Sequence, residues 1–303
     1  MSALPLFPSA IHRYIEDVFS GANQRICEKI ARVPNCPEPS IDLTLIEHLS
    51  QFSGPRLVVP GWAVQIDVHY LGGMRHFHNW EIADIGLMVF AKRQGRVLAK
   101  KLAILQSKRL YPDKGEVVAE TIEDFNLGMG RLLPGGGVTA PLGLRHVFAF
   151  SPSSKYAALG VGDQQYKAIK EYEGKRRIPV HYLLYNPWRV PATYSLPILT
   201  EPKLGRKGNG GARVLPAANL RAALSRRAAG YTPTFADLTA AVSNAPSHAS
   251  GWRLEHFVSN LVMKCQQGHV FQDMNDENIF ALFNRRSGPI AAAVSVTIEQ
   301  LTE

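Results

Sequence analysis

WEIADIGLMVFAKRQGRVLAKKLAILQSKRLYP, residues 80–112, contains two apolar runs joined by a turn. The runs 83–93 and 97–109 are rich in the aliphatic residues that suit a buried strand. Between them, Arg93-Gln94-Gly95-Arg96 reads as a hairpin turn, so the two runs are expected to pair antiparallel. Asp84 lies at the start of the first run and Gln106-Ser107-Lys108 at the end of the second. Antiparallel pairing sets those two ends side by side. Alternation along a strand puts Gln106 and Lys108 on one face and Ser107 on the other. Asp84, Gln106 and Lys108 are therefore expected to converge on one small site.

Upstream of this hairpin, Ile11, Ile15, Val18, Phe19, Ile26, Ile30 and Val33 recur at helical spacing, predicting a helix over 10–32. VPNCPEPS ends it, and Ser40 or Asp42 is a candidate cap for a second helix carrying Leu43, Leu45, Ile46 and Leu49. LVVPGWAVQIDVHYL (57–71) has strand character, as do HVFAFS (146–151) and VHYLLYN (180–186), with a helix over 163–175 between the last two. KLGRKGNGGAR (203–213) reads as a loop. Helices are expected over 216–229, from Thr232 or Thr234, and over 252–267, and GPIAAAVSVTIEQ supplies a last strand. This order predicts an α/β fold with a mixed central β-sheet flanked by helices. Residues 1–202 form the expected core, and 203–303 a C-terminal extension of loop, helices and strand packed on it.

The 303 residues are 46% hydrophobic and 19% charged, which excludes a disordered or fibrous chain. Lys and Arg number 34 against 25 Asp and Glu, a net charge of +9 that favours a polyanionic partner. No signal-peptide pattern opens the chain, and no run reaches the roughly 18 apolar residues of a membrane helix. Cys27, Cys36 and Cys265 lack the spacing of a zinc site or redox motif and read as reduced packing residues in a cytoplasmic protein.

Asp84, Gln106 and Lys108 suit phosphodiester hydrolysis. A carboxylate holds Mg²⁺, a hard cation that prefers oxygen ligands and keeps several waters. The metal polarises the phosphate and lowers the pKa of a bound water. A lysine beside the scissile phosphate orients that water and neutralises charge on the phosphoryl oxygens. Gln106, or the carbonyl next to it, is the second candidate ligand. A further acid is needed, and Glu81, Glu47 and Glu38 are the candidates, with Glu47 ranked slightly ahead of Glu38.

Asp84 in E-I-A-D-I-G and Gln106-Ser107-Lys108 resemble the two motifs of the PD-(D/E)XK, or restriction-endonuclease-like, nuclease superfamily, in its variant with Gln for the second acid. The likeness spans roughly residues 38–190 by pattern. It implies a restriction-endonuclease-like core and Mg²⁺- or Mn²⁺-dependent hydrolysis of DNA, most simply duplex DNA. It also implies an upstream helix that contributes a Glu, and a homodimer with one site per strand. By family association it implies a bacterial restriction or phage-defence effector, acting with a defence partner or activating ligand. The alternative is a nucleic-acid-binding module that keeps the scaffold without catalysis.

Arg109, Lys101 and Arg177, within the basic clusters of the chain, are candidates for gripping a nucleic-acid backbone. His76 and His78 alternate in a strand-like stretch and offer a rival zinc centre that lacks further ligands. GMGRLLPGGG (128–137) has neither the dinucleotide spacing nor the Gly-Lys-Ser/Thr of a P-loop, and reads as a loop.

Overall fold

The turn after Arg93 sets the register of the sheet. The computed structural model describes residues 5–70, 82–113, 146–196, 198, 201–205, 208–242, 251–271 and 290–301. In it β3 (Ala83–Arg93) and β4 (Arg96–Arg109) form the expected antiparallel hairpin. Gln94 and Gly95 both have positive φ, 47° and 80°, the backbone that a two-residue turn needs to follow strand twist. A Cβ at Gly95 would meet no atom within 4 Å, so only the backbone resists a side chain there. Gly95→Ala is thus expected to lower unfolding stability by about 1–2 kcal/mol, measured as a shift of the urea midpoint at unchanged slope. An unmoved midpoint would contradict this turn geometry.

The apolar stretch 57–71 is two strands, not one. Pro60 and Gly61, the latter at φ 76°, turn β1 (Arg56–Val59) back onto β2 (Trp62–Tyr70). β11 (Ile290–Gln300) lies between β2 and β3, antiparallel to the first and parallel to the second. Ile290, Ala292, Val294, Val296 and Ile298 are buried on one face of it, while Ala291, Ser295, Thr297 and Glu299 on the other are only partly covered. On the far edge of β4, β6 (Val180–Tyr185) runs parallel along Ile104 to Arg109, while β10 (His269–Phe271) pairs with Lys100 to Leu102. β8 (Arg213–Pro216) and β9 (Trp252–Arg253) extend the sheet, whose order is β1-β2-β11-β3-β4-β6-β8-β9. β5 (His146–Phe150) and β7 (Ala192–Leu196) pair separately.

Helices pack against this mixed sheet, so the class is α/β. α1 (Ser9–Arg32) buries Ile11, Ile15, Val18, Phe19, Ile26 and Ile30 as its spacing predicted, while Val33 lies past its end and is exposed. α2 (Glu38–Ser50) begins earlier than expected, with Pro39 in its first turn, where the missing N–H costs nothing. Asp42 is consequently inside the helix and not its cap. α3 (Gln164–Arg176) is capped by Asp163, which accepts from Tyr166 N at 2.7 Å. Two downstream expectations change. The helix expected over 216–229 spans only Ala217–Ala223, and 252–267 divides into β9, a helical turn at Leu254–His256 and a π-helix at Phe257–Val262. No helix among the described residues is long and apolar enough to cross a membrane.

Candidate active site

One step beyond the pair Ile85↔Leu105, Asp84 stands opposite Gln106. Its Oδ2 accepts from Gln106 Nε2, and from Ser107 N at 2.7 Å. Lys108, also at this end of β4, reaches Glu38 Oε1 at 3.3 Å as a nearly buried ion pair. The second oxygen of Glu38 accepts from Arg109 N at 2.9 Å. Asp42 lies one turn along α2 on the same side as Glu38 and accepts from Ser107 Oγ at 2.5 Å and Tyr185 OH at 2.6 Å. Asp84 and Gln106 are thus bonded directly, Lys108 turns to Glu38, and Ser107, expected on the opposite face, joins Asp42 of α2 in the same cluster.

Which acids join them differs from expectation. Glu47 lies beyond Asp42 on another face of α2; it is exposed and lines a separate cleft with Arg25, Lys29 and Arg32. The early start of α2 brings Glu38 into the helix, where it and Asp42, four residues apart, share the face over β4. Glu81, His76, His78 and 128–137 lie outside the described residues. Asp42, Ser107 and Tyr185 complete the cluster without having been singled out for it. The signal for Asp42 was its spacing from Glu38, visible only once the helix start is known. Tyr185 is brought in by β6, whose parallel register sets it beside Arg109.

Two candidate phosphate contacts are corrected. Arg109 and Lys101 are both fully buried. Arg109 donates to Pro34 O at 2.6 Å and stacks its guanidinium over Tyr111, so it ties β4 to the chain before α2. Lys101 lies under the turn that precedes β10. Both alternate onto covered faces of a strand whose two sides are occupied, which polarity alone did not reveal. Arg177, the left-handed residue that ends α3, is exposed. Arg213, in the basic stretch after 203, is also buried and donates to Gly210 O at 2.7 Å.

The charge count of the cluster is unbalanced. Glu38, Asp42 and Asp84 supply three negative charges when ionised, against one from Lys108. Burial pushes Asp84 well above the usual carboxylate range, reinforced by the charges of Asp42 and Glu38 and opposed by Lys108. Burial likewise raises Asp42 to about 6, against hydrogen bonds from Ser107 and Tyr185 that favour its charged form. A divalent cation would cancel the surplus of two. Gln106 Oε1 is buried with no hydrogen-bond partner among the described residues, an acceptor left over beside Asp84. That oxygen-only donor set fits Mg²⁺ or Mn²⁺, which bind through one or two carboxylates and retain water. Among the described residues, no three His, Cys, Asp or Glu side chains gather tightly enough to form an all-protein metal cage. Asp42 and Asp84 line a cavity of about 380 Å³ whose walls include Leu43, Ile46, Tyr70 and Ala292.

Set against models of protein families, curated proteins and solved structures, the chain matches none of them.

Proposed function

We propose that the protein is a Mg²⁺- or Mn²⁺-dependent endonuclease that hydrolyses DNA on a restriction-endonuclease-like core. The observation that carries the reading is the cluster at the open end of the hairpin. There Asp84, Gln106 and Lys108 lie beside Glu38 and Asp42, three carboxyl groups against one lysine, with one buried oxygen that has no partner among the described residues. In this reading Asp84 and Gln106 hold the metal and Asp42 supplies the carboxylate that Gln106 lacks. Glu38 fixes the reach of Lys108. The metal, when bound, supplies charge neutralisation at the phosphate and an acidified water. Lys108 orients the attacking water and stabilises the charge that builds on the phosphoryl oxygens. The net charge of +9 suits a polyanionic substrate. A dimer cutting both strands, a cytoplasmic setting and a role in restriction or phage defence follow from the resemblance and belong to the proposal.

A second reading keeps the scaffold without catalysis. It is favoured by the bonds the cluster already makes within itself, Lys108 to Glu38 and Gln106 to Asp84. The discriminating experiment is incubation of supercoiled plasmid with the protein, with Mg²⁺ or Mn²⁺ and then with excess EDTA. The nuclease reading expects nicked and linear products only with the metal. Salt-dependent plasmid binding without any cutting would instead support the binding module.

A further inference from the structure

α2 carries apolar residues on two faces, and the core uses one of them. Ile41, Leu45 and Leu49 recur every four residues and are buried. Leu43 and Ile46 lie off that line; Leu43 is 59% exposed and Ile46 half-buried. With Pro39 and Asp42 they fall at i, i+3, i+4 and i+7, one face of the helix, and all four line the cavity of about 380 Å³. Strand ends supply the rest of its described wall: Asp84 of β3, Ala291 and Ala292 of β11, and Tyr70, which ends β2 opposite Ala292 and is 70% exposed. Alanine occupies 291–293 at this end of β11, where Val and Ile follow farther along, and the small side chains leave the room. One end of the cavity is therefore acidic and the remainder apolar. Asp42 is fixed there through a single oxygen, Oδ1, which accepts from both the Ser107 and Tyr185 hydroxyls.

We propose that this cavity is a subsite for one unpaired nucleobase beside the scissile phosphate, which makes the substrate single-stranded or locally opened DNA. The proposal rests on the nuclease reading for the position of the phosphate at Asp42 and Asp84. The group joined to that phosphate must then suit Leu43, Ile46 and the Tyr70 ring, which are apolar or aromatic. A base within a duplex does not, because it is stacked and shows the grooves a polar edge. A base that has left the stack does, and an aromatic face accepts any of the four. The cavity lies at the small end of the roughly 300–1,000 Å³ of ligand pockets, a size for one nucleoside and not for a duplex.

The experiment reads binding and not cutting: fluorescence anisotropy of labelled oligonucleotides with the full chain in Ca²⁺, an oxygen-seeking cation, beside Tyr70→Ala and Leu43→Ala. Both side chains are mostly exposed, so neither substitution hollows the core. The probes are a mixed-sequence single strand, the same strand with every base removed, and the duplex. The two single strands carry the same phosphates, so the backbone contribution cancels between them. Wild type is expected to bind the strand with bases about 5- to 150-fold more tightly than the abasic strand, the range for one stacked base. Tyr70→Ala should lose most of that preference and Leu43→Ala part of it, with abasic and duplex affinities unchanged. Equal affinity of wild type for the two strands overturns the proposal, as does a preference that both variants retain, or a Tyr70→Ala loss of the same size on the duplex. The nuclease reading fails separately. Base preference without plasmid cutting ends that reading and leaves a base-binding subsite, whereas cutting without base preference ends this proposal alone.

Discussion

Lys108→Ala is expected to cut supercoiled plasmid about 100- to 1000-fold more slowly than wild type, the loss that follows removal of one group stabilising transition-state charge. The effect is assigned to catalysis and not to folding because of what surrounds this side chain. Glu38 would lose its cationic partner at 3.3 Å but would keep the Arg109 N–H at 2.9 Å, so the acid stays bonded. Duplex binding, and its fall with rising salt, should survive in the variant. Glu47→Gln is the matched control, since Glu47 is exposed on another face of the same helix. Initial nicking rates under saturating Mg²⁺ give the comparison. Equal rates for Lys108→Ala and wild type would remove Lys108 from the chemistry and the present assignment with it.

Asp84→Asn is expected to abolish nicking while making the metal-free protein more stable at pH 8. Asp84 is held well above the ordinary carboxylate pKa by burial and by its neighbours Asp42 and Glu38. The sign follows from proton linkage. Above the unfolded pKa of about 3.9, the native state binds more protons than the unfolded chain, so stability falls as pH rises towards the folded pKa. Each unit of raised pKa removes about 1.4 kcal/mol, and for domains of 150–250 residues a change of 1 kcal/mol moves Tm by roughly 2–4 °C. An amide at this position never ionises, and its oxygen still accepts from Ser107 N. The variant should therefore gain in Tm over wild type at pH 8, with the gain shrinking to nothing near pH 4. Mg²⁺ should raise the Tm of wild type alone, closing the gap. A variant less stable than wild type at pH 8 would refute the burden of buried charge. Stability given up at a working site in this way is a common trade in enzymes.

The hairpin was open to sequence reading because everything that defines it is local. RQGR sets the turn, two apolar runs flank it, and the pairing that follows brings Asp84 opposite Gln106. The acids above the hairpin were harder to read. A helix starting at Ser40 or Asp42 leaves Glu38 outside it, whereas one starting at Glu38 places Glu38 one turn before Asp42 on the face over β4. Arg109 and Lys101 were misplaced for a related reason. Charge suggests an outer face, but strand β4 is covered on both sides, so its cations become enclosed. Tyr185 and the central position of β11 depend on pairing between distant parts of the chain, and no local pattern encodes that.

The place of β11 has a consequence for the order in which the molecule is made. β3 has one neighbour that follows it within a short hairpin and another, β11, that reaches it only from residues 290–300. On a ribosome the hairpin emerges first, and β2 and β3 must wait, without pairing to each other, for a strand synthesised much later. Such long-range closure is slow. The wall of the Asp84 cavity formed by Ala291 and Ala292 is absent until then. A nascent chain thus carries all the charged groups of the cluster in an unfinished pocket until residues 290–300 have been made and paired.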